Sequence, residues 1–463
     1  MAVTILDAMT DPRLFGDTFG GESFASWRAL LSGFYGLPLD DDALAIWQEV
    51  TARPEGPQQA HDELWLAVGR RGGKSHAAAF VATYEAAFKD HRDKLAAGEW
   101  ATVLLLAADR PQARTLLRYV RGMFEHPMLK PLVQRETSDG LELVNRCAIE
   151  IGTASHRSTR GYTLSAVICD EIAFWHSDGA RPDAEIIAAL RPALATLGGK
   201  LVALSSPYAR RGMLWTTYQG HYGRDSRVLV AQAASRTMNP TLPQRVVDDA
   251  MRDDAARACA EYLAQFRTDI AALISPDLIE SATRQKPLEL PPVRGVSYVA
   301  FADPAGGGAD EFTLAIGHRE GDRLVADLVR GLHGSPAEIV REFSDLLKKY
   351  GIRRIEGDRY AGRWPRDEFL RWGVRYEVAE LDRSGLYLEL LAAMNSGRVQ
   401  VPNCSKLARQ LAGLERRTGR SGRDMIDHAP GAHDDRANAL AGLVTVLAGK
   451  RDKVWAPKIS FAY

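Results

Sequence analysis

The chain has 463 residues, 46% of them hydrophobic and 25% charged; this composition excludes a disordered or fibrous chain, and the length exceeds one ordinary core, so two domains are expected. Lys plus Arg and Asp plus Glu both number 59, so the formal charge is zero and any DNA contact must come from local basic patches. The sequence lacks an apolar run of about eighteen residues and a basic-then-apolar leader, and Cys147, Cys169, Cys259 and Cys404 lie too far apart to pair as metal ligands; a reducing cytoplasm fits best.

Residues 1–60 read as a helical segment that ends in the turn RPEGPQQ. From there to residue 272, apolar runs alternate with helical stretches. The runs LWLAV, ATVLLLAA, AVICDE and KLVALSSP have the character of strands buried on both faces, which predicts a parallel sheet covered by helices. Residues 273–295 are Pro-rich and polar and read as a linker. A second α/β region follows over residues 296–450. Its expected strands are VSYVAFADPA, FTLAIGH, DRLVADLVRGLHG and IRRIEGDRYAG, with helices over SPAEIVREFSDLLKKYG and HDDRANALAGLVTVLAG. Residues 451–463 form a basic, aromatic tail.

The stretch LWLAVGRRGGKS sets Gly69, Arg70, Arg71, Gly72, Gly73, Lys74 and Ser75 between a strand and a helix start. Glycines there let backbone N–H groups face phosphates, and the helix N-terminus adds its positive end. In such a cradle Lys74 reaches the outer phosphates and Ser75 holds Mg²⁺. The usual spacing is G-x-x-x-x-G-K-[ST]; Gly69 sits one position closer. The plain alternative is a Gly-rich turn with a solvated lysine. Asp170 and Glu171 decide between them, because they end an apolar strand where unpaired charge is costly. In an ATPase the first carboxylate serves Mg²⁺ and the second polarises the attacking water. Ser205-Ser206-Pro207 ends a third strand and either senses the terminal phosphate or makes a turn. Arg70 or Arg71 either stabilises charge on that phosphate or fixes the loop.

In the second region, Asp303 follows one strand, Asp358 another, and Asp434 and Asp435 open the last helix in the pattern His-Asp-Asp-x-x-Asn-Ala. Each aspartate alone has a dull reading as a cap or turn residue. Together they form an oxygen-rich set suited to two Mg²⁺ or Mn²⁺ ions and to phosphodiester cleavage. Asp310 and Glu311 are either outer ligands or turn residues, and arginines between Arg353 and Arg423 either line a phosphate path or form a solvated surface.

In order along nearly the whole chain, GRRGGKS, STRGYTLSAVICDE, LSSP, YLAQF, FADPAGGGADEFT, EGDRYAG and HDDRANALAG resemble the motifs of the large terminase subunit of tailed bacteriophages or gene transfer agents. The resemblance implies an N-terminal RecA-like ATPase domain of the additional-strand class and a C-terminal RNase H-like nuclease domain. It also implies ATP and Mg²⁺ as cofactors, with Mn²⁺ able to replace Mg²⁺ at the nuclease. Arg70 matches an arginine that touches the γ-phosphate within one subunit, and Arg160, with Arg157 close by, matches one that some members send into the neighbouring subunit. Ser205, Ser206 and Pro207 match the coupling motif, and Asp303, Asp358 and one of Asp434 and Asp435 match the nuclease ligands. Gln48 matches the adenine pocket, although Ala52 stands where the family often has Gly. The implied partners are double-stranded DNA, the small terminase subunit and the portal of the procapsid, with a ring formed on the portal in the host cytoplasm, no membrane, and no place in the mature virion. The rivals are a helicase- or restriction-type translocase with a fused nuclease, and a nucleotide-dependent assembly protein whose nuclease is inactive.

Overall fold

The computed structural model describes residues 3–153, 161–175, 182–304, 310–358, 363–418, 424–428 and 432–449, and the chain divides into two compact units between Ile270 and Ala271. In the first unit, β1 (Glu63–Val68), β2 (Ala101–Ala107), β3 (Val133–Thr137), β4 (Gly140–Leu143), β5 (Cys147–Thr153), β6 (Thr163–Asp170), β7 (Lys200–Ser205) and β8 (Val228–Ala233) form one sheet. The strand order is β3-β4-β5-β2-β6-β7-β1-β8. Neighbours from β5 to β8 are parallel, while β3, β4 and β5 pair antiparallel at one edge.

Alternation along the strands sends successive side chains to opposite faces. Leu64, Leu66, Val68, Val103, Leu105, Ile168 and Leu204 meet the N-terminal helices and the helix Lys74–Ala87. Trp65, Ala67, Leu104, Leu106, Val167 and Ala203 meet the helix Pro182–Ala195 on the other face. Each such fully buried Leu or Val contributes roughly 1.5–3 kcal/mol. β7 lies between β1 and β6, the extra-strand order of RecA-like ATPases. The residues expected to form a helical N-terminal segment pack through Ile5, Met9, Phe19, Trp27, Phe34 and Trp47 into this same core.

A short strand, β9 (Ile270–Ala272), lies at the boundary, and the second unit adds β10 (Thr283–Arg284), β11 (Tyr298–Asp303), β12 (Phe312–Glu320), β13 (Arg323–Leu332), β14 (Arg354–Gly357), β15 (Arg375–Val378), β16 (Val399–Pro402), β17 (Leu414–Thr418) and β18 (Asp424–His428). Its main sheet runs β10-β16-β13-β12-β11-β14-β15. β11, β12 and β13 form an antiparallel meander, and β14 and β15 add parallel to β11; this is the order of an RNase H-like sheet. The last helix, Asp435–Gly449, lies on one face against Phe301, Ala315 and Ala326. It comes so close that a Cβ on Gly442 would overlap the Phe301 ring.

The segment read as a linker is a correction. Leu273, Ile274 and Ile279 are buried in the core of the second unit. Residues Pro276–Ala282 form a helix capped by Ser275, whose Oγ accepts from Leu278 N. Arg284 is buried and its guanidinium donates to the Ala326, Asp327, Pro287 and Leu288 carbonyls. Composition suggested a loop, but Ser275-Pro276 is the same helix start as Ser335-Pro336, and a buried arginine can satisfy several main-chain acceptors at once.

Candidate functional site

In the first unit, parallel pairing brings the strand ends to one edge: Ala67 pairs with Ser205, and Leu204 with Asp170. The turn Gly69–Gly73 leaves β1 at that edge, where open α/β sheets bind ligands. Lys74 is buried, and its Nζ lies 3.0 Å from Ser206 Oγ and 3.4 Å from Glu171 Oε1. Ser205 Oγ donates to Glu171 Oε2 at 2.9 Å. One lysine, one carboxylate and two hydroxyls from three strand ends are thus joined in one network.

Asp170 is 8% exposed, and its Oδ1 has no hydrogen-bond partner among the described residues. Burial, reinforced by the Glu171 charge and opposed by Lys74, raises its carboxyl to about 6. A buried, unsatisfied carboxylate oxygen next to a second acid fits a divalent cation. Arg71 (φ +65°) and Glu171 (φ +50°) are both left-handed, a conformation that costs a non-glycine residue about 1 kcal/mol or more. Neighbours hold the turn in place. Trp27 Nε1 donates to Gly72 O at 3.0 Å, Ser235 Oγ to Arg70 O at 2.6 Å, and Asn239 Nδ2 to Arg71 O at 2.9 Å. Gly69 is required by contact, because a Cβ there would overlap Ser235.

The remaining expected residues are placed as follows. Ser75 opens the helix beside Lys74. The Arg70 side chain is exposed and pairs with Glu261 at 3.4 Å, directed to that acid. Gln48 is exposed, with Nε2 donating to Pro54 O at 2.6 Å. Ala52, at φ +53°, caps its helix in the left-handed region, which accounts for glycine suiting that place. Arg157 and Arg160 lie outside the described residues.

In the second unit, the ends of β11 and β14 adjoin through the pairing of Ala302 with Gly357, which brings Asp303 and Asp358 together. Asn438, fully buried on the last helix, spans them: its Nδ2 donates to Asp303 Oδ2 at 2.9 Å and to Asp358 Oδ2 at 2.7 Å. Asp303 is half-buried by surface but deeply enclosed by protein. That desolvation pushes its carboxyl well above the usual range, against the Asn438 hydrogen bond and with help from Asp358 and Asp435.

The two helix-start aspartates differ. Asp434 is buried, and its Oδ2 accepts from Tyr387 Oη at 2.6 Å with Arg383 Nη1 at 3.5 Å. Asp435 is half-buried, and its Oδ2 accepts from Glu311 N at 3.2 Å. Burial raises the Asp435 carboxyl, with Asp310 and Asp434 adding to the effect and the Glu311 N–H opposing it. Asp310, His433 and Asp435 offer ligand atoms within 4.8 Å of one another. The first turn of the helix is instead capped by Gln410, whose Oε1 accepts from Arg436 N at 2.7 Å and Ala437 N at 3.2 Å. Glu311 is buried against Arg436 and Lys406, and although burial opposes it these cations hold its carboxyl down at about 2. Arg354 and Arg417 are paired with Glu377 and Glu415.

Sequence reasoning missed the roles of Trp27, Gln410, Tyr387 and Arg383, which act across long separations. It quoted Asn438 as a motif letter but gave it no task.

No family model and no curated protein matches the chain. Solved structures do. The large terminase of bacteriophage HK97 is similar at 16% identity, covering 89% of this chain and 95% of that one, with a TM-score of 0.39. A large terminase from a thermophilic bacteriophage, solved in complex with ADP, is similar at 12% identity over 92% of this chain and 99% of its own, with a TM-score of 0.41. The large terminase nuclease of thermophilic phage G20c covers 38% of this chain and 97% of its own, at 18% identity and a TM-score of 0.33. The proteins it resembles are large terminases. Likeness at this level adds no argument about function, which rests on the residues described above.

Proposed function

We propose that this chain is the large terminase subunit of a tailed phage or gene transfer agent: an ATP-driven motor that moves double-stranded DNA into a procapsid and cuts the concatemer with a two-metal endonuclease. One observation carries the reading. A single chain holds, in two separate units, a lysine–carboxylate–hydroxyl network at a phosphate turn and a carboxylate pair bridged by one amide at an RNase H-like strand end.

In the first unit, the turn 69–75 and Lys74 bind the phosphates of ATP, Ser75 and Asp170 hold Mg²⁺, and Glu171 orients and deprotonates the attacking water. Lys74 and Ser205 hold Glu171 at the strand end, so loss of the phosphate is felt along β7 through Ser205 and Ser206. Arg70 leaves Glu261 to meet the γ-phosphate, Arg160 or Arg157 serves a neighbouring subunit's site, and Gln48 serves the adenine.

In the second unit, Asp303, Asp358 and Asp435 hold the metal ions. Asp435 is favoured over Asp434 because Asp434 is already engaged by Tyr387 and Arg383. Two divalent cations bound there supply activated water and neutralise the leaving oxygen. Mn²⁺ can replace Mg²⁺. Translocation needs only backbone phosphate contacts. The partners are the small terminase subunit and the portal, with a ring formed in the host cytoplasm. No helix among the described residues is long and apolar enough to cross a membrane.

The test is plasmid cleavage with Mn²⁺, with ATP hydrolysis assayed in parallel, for wild type, Lys74→Ala, Asp303→Ala and Asp358→Ala. The aspartate variants are expected to lose cutting and keep ATPase, and Lys74→Ala the reverse. Active ATPase with no cutting by wild type would point instead to an assembly protein with an inactive nuclease. ATP-dependent strand separation would point to a helicase.

A further inference from the structure

Asn438 sits where a cation or an acid would be the obvious choice. Two carboxylates converge from β11 and β14, and the group between them is a neutral amide with zero exposure. Both hydrogens of one NH₂ are used, one on each Oδ2, so a single side chain joins the two acids. Of the cations around the last helix, Arg383 lies 3.5 Å from Asp434 and 4.0 Å from Asp427 and its charge also acts on Asp303 and Asp358, while Arg436 and Lys406 lie on Glu311.

The height of Asn438 is also fixed. It is one turn beyond Asp434, whose carbonyl accepts its N–H at 2.8 Å, and one turn before Gly442, whose missing Cβ lets the helix close on Phe301. Phe301 lies on β11, two residues before Asp303. The amide and the carboxylate it holds are therefore gauged against the same strand.

Charge chemistry explains the choice of residue. A lysine here would neutralise the pair and compete with divalent cations. An aspartate would add a third repelling charge. Asparagine offers two donors and no charge.

We propose that Asn438 is a positioning residue that presets the gap between Asp303 and Asp358, so that divalent cations enter a site already formed. This rests on the nuclease reading. The group acts through the ligands and touches neither metal nor substrate. Outer partners of metal ligands typically change affinity by about 10–100-fold when removed.

The experiment uses the full chain. Mn²⁺ affinity is measured by calorimetry and by the electron paramagnetic resonance of free Mn²⁺, thermal unfolding is recorded in EDTA and in Mn²⁺, and plasmid cleavage is titrated with Mn²⁺. Asn438→Ala is expected to bind Mn²⁺ about 10–100-fold more weakly, to regain cutting when Mn²⁺ is raised, and to hydrolyse ATP as wild type does. Unchanged Mn²⁺ affinity in a folded Asn438→Ala, or a loss of cutting that saturating Mn²⁺ does not restore, overturns the proposal. If Asn438→Ala does not fold, Asn438→Asp decides: it must melt below wild type in EDTA and gain more from Mn²⁺ than wild type gains. Equal melting in EDTA overturns the proposal. Wild type that binds Mn²⁺ without cutting overturns the nuclease reading alone, and the affinity comparison still decides. Wild type that neither binds nor cuts overturns both.

Discussion

The two units solve one electrostatic problem in different ways. In the first, Asp170 and Glu171 lie beside a resident cation, Lys74, on a backbone left-handed at Arg71 and Glu171. In the second, Asp303 and Asp358 are tied by a neutral amide, and among the described residues the nearby ion pairs of Arg383 and Arg436 are with Asp434 and Glu311. The difference teaches what each expects. On the proposed reading, acids set against a lysine suit a polyanion such as a nucleotide, whereas two carboxylates joined by an amide suit metal ions.

Four changes test that contrast, in decreasing order of effect. Glu171→Gln keeps the shape of the first network and removes its charge. ATP hydrolysis should fall about 10²–10³-fold while nucleotide still binds and Mn²⁺-dependent cutting persists; steady-state hydrolysis and fluorescent-nucleotide binding check this. Gly442→Ala forces a methyl group into Phe301 and should destabilise the second unit by about 1–3 kcal/mol. Hydrogen exchange should show faster opening in β11 and the last helix, with β1 and β7 unaffected. Trp27→Phe removes the indole donor to Gly72 and should cost about 1 kcal/mol, read as a weaker nucleotide affinity with no change in cutting.

The smallest effect is in pH. Burial and the Arg53 charge lower the His61 imidazole below its ordinary 6.5, so its contribution is full above 6.5 and is lost as pH falls through the lowered value. Burial opposes charge on His318, but hydrogen bonds to Asp327 and Glu320 raise it, so its contribution is full below 6.5 and is lost as pH rises through the raised value. Raising pH up to 6.5 should firm the amides of β1 and β8, and raising it further should loosen those of β12 and β13. Hydrogen exchange at several pH values, corrected for intrinsic rates, checks the opposite signs.

What was legible in the sequence lies close along the chain. Glycines and a lysine after β1, two acids at the end of β6 and aspartates at the ends of β11 and β14 are visible because a strand that stops being apolar announces its own end. Hidden were the partners brought in by folding. Trp27 reaches Gly72 from far upstream, and Gln410 caps a helix from another one. The antiparallel edge of β3 to β5 was also unread, since β3 and β4 are short and β3 is largely exposed. The segment after Ile270 was misread because proline and charge look the same in a loop as in a capped helix with a buried arginine. Asp434 and Asp435 are adjacent letters with the same chemistry; Tyr387 and Arg383 on the first and Glu311 N on the second separate them.

The left-handed backbone at Arg71 and Glu171 has a consequence for anyone redesigning this protein. Glycine is the relaxed residue at both places, so a search for thermal stability alone would choose it twice. One exchange would discard the Arg71 guanidinium and the other the Glu171 carboxylate, the group proposed to handle water. Heat tolerance gained at these two positions would be a record of lost turnover, and a stabilised variant should be screened for hydrolysis before its melting point is admired.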